Sequence, residues 1–145
     1  MLQHERQGLM YINEVAKITG LTAKAIRYYE AEGIVAASGR SDSGYRLYSR
    51  ENLDHLCFLQ HARGVGFSVQ ESAKLLNLYR SNPDASDTVK ALVGEKLAQL
   101  RSKKREIERL EATLENLWAC CDGRGEHHCE ILERLASEEF HGGLQ

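Results

Sequence analysis

Near the C-terminus the stretch "ACCDGRGEHHCEIL" (119–132) gathers three of the chain's four cysteines and two of its six histidines into fourteen residues. Cys121 and Cys129 stand eight positions apart, and the intervening "DGRGEHH" holds two glycines that let a small loop close tightly. Two thiolates converging across such a loop offer two-coordinate, nearly linear ligation. That geometry suits the soft monovalent ions Cu(I), Ag(I) and Au(I), which bind sulfur strongly and need few ligands. Zn(II) demands about four donors in a tetrahedron, and here it would recruit Cys120 and one of His127 or His128. The vicinal Cys120–Cys121 pair admits a third chemistry, thiol oxidation as a signal. Against that stand the lack of a CxxC in a βαβ setting and of a pocket of acid–base residues, so the chain is not read as an enzyme. Plainer roles compete at each position: Cys120 as a small apolar residue in a helix interface, the histidines as solvated loop residues. Cys57, among Leu56, Phe58 and Leu59, reads as core.

A second group of residues is suited to nucleic acid. "TAKAIRYYEAE" places Lys24, Arg27, Tyr28 and Tyr29 within six positions, joining phosphate-seeking cations to aromatic rings and hydroxyl donors. The plain alternative is an amphipathic helix with a solvated cationic face and buried tyrosines. Farther on, Arg40, Tyr45, Arg46 and Tyr48 fall in "GRSDSGYRLYS".

These residues need elements to hold them. "YINEVAKIT" puts Ile12, Val15, Ala16 and Ile18 on one face of a short helix, with Asn13 as its expected cap and Gly20 as its stop. Thr22 opens a second helix that Gly33 closes, and two short helices separated by "GL" follow the helix-turn-helix pattern. A strand is expected at Ile34 and Val35, then the turn-forming "GRSDSG", then the alternating "YRLYS" as a returning strand. A hairpin directly after a helix-turn-helix is a wing, and its cations and tyrosines lie where a wing meets the sugar-phosphate backbone. Ser49 then caps a helix from Arg50 to about His61, with Leu53, Leu56, Cys57 and Leu59 inward. After "GVGFS", Ser68 caps another containing Val69, Ala73, Leu75, Leu76 and Leu78.

Pro83, the only proline, breaks the chain in "RSNPDAS". From about Val89 to Ala119 apolar residues recur every three or four positions (Val93, Leu97, Leu100, Ile107, Leu110, Leu114, Leu117), interrupted once by Lys103 and Lys104. This predicts a helix of ~46 Å, too long for the small N-terminal domain to bury. Its stripe needs a partner, most simply the same helix of a second copy, parallel or antiparallel. "CEILERLASEEF" forms a short amphipathic terminal helix. The fold class is thus mainly α: a winged helix-turn-helix DNA-binding domain with two following helices (10–80), a dimerisation helix (84–119), and a metal-binding loop with a short terminal helix (120–145).

Composition agrees with a soluble globular chain: 145 residues, 42% hydrophobic, 28% charged, net charge -2. So small a net charge makes any nucleic-acid contact local and geometrically placed. No apolar run reaches the ~20 residues of a membrane span, and no signal-peptide pattern opens the chain, which reads as cytoplasmic. In that reducing compartment clustered thiols point to metal or redox chemistry rather than a structural disulfide. The polar "QHERQ" predicts a frayed N-terminal tail.

Taken in order, "INEVAKITGLTAKAIRYYEAEGIV", "SDSGYRLYS" and "LQHARGVGFSVQES" resemble the characteristic blocks of the MerR family of bacterial transcription regulators, with the likeness covering roughly residues 11–129. Within it the C-terminal loop resembles the metal-sensing branch, nearest to its copper-efflux regulators. The resemblance implies an antiparallel homodimer that binds a double-stranded promoter with an over-long spacer. Charged with metal, such a dimer distorts the DNA so that RNA polymerase engages both promoter elements and metal-efflux or detoxification genes are activated. It also implies that Ser86 occupies the position, reaching the partner's metal loop, where monovalent sensors carry Ser and divalent sensors carry Cys. From the residues alone Ser86 simply caps the long helix, and both roles can hold together. Cys120, His127 and His128 depart from the copper pattern toward the zinc-sensing branch, which keeps a Zn(II), Cd(II) or Pb(II) sensor as the alternative.

Overall fold

The computed structural model describes residues 8–124 and 128–140. It divides into two compact units, Met1–Lys90 and Ala91–Gln145. The first contains β1 (Met10–Tyr11), α1 (Ile12–Thr19), α2 (Ala23–Ala31), the hairpin strands β2 (Gly39–Arg40) and β3 (Arg46–Tyr48), α3 (Arg50–Gly64) and α4 (Val69–Ser81). The long helix α5 (Ser86–Ala119) runs through the division, and α6 (Glu130–Ala136) closes the second unit. The mainly helical class and the winged helix-turn-helix are as expected.

The turn between α1 and α2 is written in four consecutive residues. Thr19 returns its hydroxyl to the Val15 carbonyl (2.8 Å) and accepts from the Leu21 amide (3.2 Å). Gly20 takes φ 76°, a left-handed conformation that a side chain resists, and its N–H reaches the Ala16 carbonyl at 2.9 Å. Thr22 then caps α2 by accepting from the Ala25 amide at 3.0 Å. One helix is therefore ended and the next begun within three residues. Asn13 is not the cap of α1. Tyr11 holds that position, because β1 runs directly into the helix while Tyr11 pairs with Leu47 of β3.

The strand expected at Ile34 and Val35 does not form. Both amides donate to the Tyr29 carbonyl (2.9 and 3.3 Å), finishing α2, and Val35 is buried in the core. The hairpin starts later, at Gly39. β3 is the central strand of an antiparallel sheet ordered β1-β3-β2, with Met10 opposite Tyr48 and Arg40 opposite Arg46. Ser49 and Ser68 each form a capping box, with Asn52 and Glu71 respectively. Asn52 does more, since its amide group also donates to the Ala36 carbonyl (2.7 Å) and accepts from the Ser38 hydroxyl (2.6 Å). It pins the α2–β2 connection to the start of α3. Val15, Ile26, Tyr29, Val35, Tyr48, Leu53, Leu56, Leu59 and Leu76 form one core, with Cys57 partly buried against it as expected.

α5 spans 34 residues and starts at Ser86, so Ser86 is its first helical residue rather than its cap. Val93, Leu97, Leu100, Ile107, Leu110, Leu114 and Trp118 all remain exposed along it. Ile107, Leu110, Leu114 and Trp118, bordered by Glu111 and Glu115, line an open groove of about 530 Å³. Leu117 is the exception: it is buried, and it shares a recess with Arg134, Ser137 and Phe140, so the end of the chain lies along the end of α5. Among the described residues no helix is long and apolar enough to cross a membrane. The "QHERQ" tail lies outside the described residues.

Candidate nucleic-acid interface and metal centre

α2 sorts its residues by face. Ile26 and Tyr29, three positions apart, enter the core, while Lys24, Arg27 and Tyr28 face solvent. Beside them the first unit carries an open groove of about 570 Å³, built from three places: Tyr11, Ile12 and Asn13 at the start of α1, Arg27 of α2, and Ser43 to Arg46 of the wing. The start of α1 brings the positive end of its dipole to this groove. The wing tip is held rigidly. Gly44 (φ 87°) turns the chain, its N–H reaches the Ser41 carbonyl (2.9 Å), and the Arg40 guanidinium donates to the Gly44 carbonyl at 3.0 Å. Tyr45, two-thirds exposed, meets Tyr11 edge-on with ring centroids 6.4 Å apart. Cations, a helix N-terminus and exposed phenols converging on one groove are the equipment for gripping a phosphate backbone.

Three of the eight residues expected to grip DNA are placed otherwise. Tyr29 lies in the core, a consequence of sharing the Ile26 face. Tyr48 is fully buried beside Leu47 on the central strand, and its hydroxyl donates to Glu30 Oε2 at 3.1 Å. Burial, followed by the neighbouring Glu30 carboxylate, pushes that phenol up to about 12. Arg46 donates from Nε to Glu30 Oε1 at 2.7 Å, and this hydrogen bond raises its guanidinium above the ordinary value. Glu30 was not singled out from the sequence; an acid in the last turn of a cation-bearing helix is the signal that could have found it. Tyr11, Asn13 and Ser43 were missed as well, because they join the groove only through tertiary structure.

In the second unit α5 ends at the cysteines. The Cys120 amide donates to the Asn116 carbonyl (3.2 Å), and its thiol turns back onto the Leu117 carbonyl at 3.1 Å. Cys121 instead directs its thiol toward Cys129, which sits at the N-cap of α6. The Cys129 sulfur receives the backbone amides of Leu132 and Ile131, and with the Cys121 thiol these hold its pKa below the ordinary thiol value. The loop turns at Gly123 (φ 72°). Cys121 and Cys129 are thus together, Cys120 is engaged elsewhere, His128 is exposed, and His127 lies outside the described residues. Among the described residues, no three His, Cys, Asp or Glu side chains gather to hold a metal ion. All four cysteines are free thiols.

A helix-turn-helix whose second helix presents cations beside a rigid wing defines a DNA-binding transcription regulator. The comparisons say which. The model of the MerR HTH family regulatory proteins matches residues 10–78, and that of "MerR, DNA binding" matches 53–117. The chain belongs to the MerR family. The HTH-type transcriptional regulator CueR of Escherichia coli O6:H1 is 41% identical over 127 residues, 88% of this chain and 94% of the relative. The uncharacterized HTH-type transcriptional regulator PA4778 of Pseudomonas aeruginosa is 43% identical over 128 residues, 88% of this chain and 97% of the relative. Among solved structures, the transcription regulator PbrR691 from Ralstonia metallidurans CH34 in complex with lead(II) matches with a TM-score of 0.75 and 36% identity, over 88% of this chain and 99% of that one.

Proposed function

We propose that this regulator is a cytoplasmic homodimer that activates metal-efflux or detoxification genes when Cu(I), Ag(I) or Au(I) is held by Cys121 and Cys129. The observation that carries the reading is the Cys121–Cys129 pair, in which one sulfur is already supported by two backbone amides and the other thiol. Two converging sulfurs with the thiolate form favoured suit a soft cation. The bound ion would supply a bridge between the end of α5 and the start of α6. Cys120, whose thiol serves the Leu117 carbonyl, stays outside that pair.

Lys24, Arg27, Tyr28, Arg40 and Tyr45 are the exposed members of the DNA-gripping set, and they act on backbone and groove shape. Promoter distortion then lets RNA polymerase engage. The dimer is supported by α5: its unpartnered stripe needs cover, and its charges favour a head-to-tail mate. Arg101, Lys103, Lys104 and Arg105 precede Glu106, Glu108, Glu111 and Glu115, so antiparallel pairing sets basic against acidic where parallel pairing sets like against like. Ser86, exposed at the first turn of α5, offers the metal loop of a second copy a hydroxyl rather than a thiolate.

A divalent reading is favoured by one finding, the lead(II) bound in the PbrR691 relative. Transcription in vitro from a responsive promoter, with each free metal buffered, separates the two. Activation by Cu(I) and Ag(I) without Zn(II) or Pb(II) is expected. Activation by Zn(II) or Pb(II) alone would overturn the monovalent assignment.

A further inference from the structure

We propose that Glu30 is a positioning residue for DNA binding: its carboxylate, bonded to Arg46 and Tyr48, latches the wing strand to the recognition helix and keeps Arg46 out of the phosphate-gripping set. The proposal rests on the DNA-binding reading of the groove.

Both oxygens of Glu30 are used, and both partners come from β3: Arg46 Nε at 2.7 Å on Oε1 and the Tyr48 hydroxyl at 3.1 Å on Oε2. The two bonds join elements sixteen and eighteen residues apart in sequence, one carrying Lys24, Arg27 and Tyr28, the other continuing from Tyr45. The core fixes the inner sides of α2 and β3 through Tyr29 and Tyr48. The carboxylate fixes them at the groove, which Arg27 and Arg46 both line. Without an anion there, two guanidiniums on one groove repel each other and the strand is free to tilt. The carboxylate is also the more buried partner, its side chain 21% exposed against 41% for Arg46. A charge-assisted contact of this kind is stronger than a fully solvated pair. With its charge matched internally, Arg46 releases few counterions on binding DNA, leaving Lys24 and Arg27 as the cations that do.

The test uses a duplex that the wild-type protein enriches from a random-sequence library, with E30Q, Y48F and the double variant compared by hydroxyl-radical footprinting and by affinity across a KCl series. E30Q should lose protection in the flanks that the wing covers while keeping it where α2 docks. It should weaken binding roughly fivefold near physiological salt, with a log–log salt slope steeper by about 0.9 as Arg46 gains a phosphate. Y48F should show a smaller flank loss with an unchanged slope, and E30Q/Y48F should bind no worse than E30Q alone, since both changes open one latch. A wild-type footprint and slope in E30Q would overturn the proposal. Should E30Q melt below the assay temperature, Y48F decides, because it keeps the ion pair: an undisturbed flank refutes the latch. Failure of the wild type to enrich any duplex would instead refute the DNA-binding reading itself.

Discussion

Leu114→Ala offers a direct measure of what covers α5. Leu114 is 65% exposed, on the groove it shares with Ile107, Leu110 and Trp118. Full burial of a leucine side chain is worth ~1.5–3 kcal/mol, so about two-thirds of that, ~1–2 kcal/mol, remains to be gained per copy. A two-fold dimer contains the position twice, which makes the loss ~2–4 kcal/mol. At ~1.4 kcal/mol per decade, the dimer dissociation constant should rise by between about thirtyfold and several hundredfold. Sedimentation equilibrium over a concentration series reads this directly, and the monomer's helical signal should stay intact. Leu117→Ala is the contrast. That side chain is already covered by its own chain near Ser137 and Phe140, so its loss should appear as reduced thermal stability, ~2–5 kcal/mol, more than as dissociation. A Leu114→Ala protein that dimerises as tightly as the wild type would refute the stripe as the dimer seam.

Cys121→Ser and Cys129→Ser should each retain operator affinity in a mobility-shift titration and lose metal-induced transcription in vitro; loss of DNA binding in both would contradict the separation of the two sites. Tyr48 is held at about 12 against an ordinary 10.0, so the fold's advantage from its protonated phenol is intact below pH 10 and disappears as pH rises through about 12. Over that window the wild type should lose about 2–3 kcal/mol that Tyr48→Phe does not, read as the difference between their alkaline denaturation curves. Gly20→Ala should cost about 1–2 kcal/mol in thermal unfolding from its φ of 76° alone, because the added Cβ would meet Gln60 Nε2 only at an ordinary 3.8 Å; an unchanged melting temperature would contradict the strain assigned to the turn.

What could be read in the chain beforehand was whatever depends on near neighbours. Gly20, Thr22, Ser49 and Ser68 end or begin helices through bonds spanning three or four residues, so their roles were visible as spelling. The period of α5 was equally plain, since a helix lying against solvent must display its stripe. The misreadings all turn on tertiary competition. Ile34 and Val35 have the composition of a strand, but their amides were consumed by the Tyr29 carbonyl. Tyr48 looked like a DNA-facing phenol because alternation alone leaves either face open, whereas the central place of β3 buries both Leu47 and Tyr48. Glu30 and Asn52 organise contacts across fourteen to eighteen residues, and no local pattern announces such a reach. At the cysteines, spacing indicated that Cys121 and Cys129 could meet; that Cys120 turns back to Leu117 depends on where the last turn of α5 stops.

That stopping point bears on how a captured ion could act on DNA. A ligand shifts an equilibrium only by its differential affinity for the two states, and a coupling of ~1–3 kcal/mol suffices for a ~5–150-fold bias. The elements at hand are of that size. The Cys129 sulfur draws the amides of Ile131 and Leu132, so the first turn of α6 is ordered by the same atom that would hold the ion. Leu132 and Leu135 on that helix remain 67% and 51% exposed, and covering either one is worth about 1–2 kcal/mol. In the proposed mechanism, fixing Cys129 against Cys121 therefore fixes where these leucines dock, and the burial they gain supplies the energy that separates the two states. Because Cys121 follows α5 by two residues and α5 is continuous back to Ser86, a rigid helix leads from that docking event to the DNA-binding unit. The two sulfurs set the specificity for the ion, while the leucines of α6 set how strongly its arrival is felt.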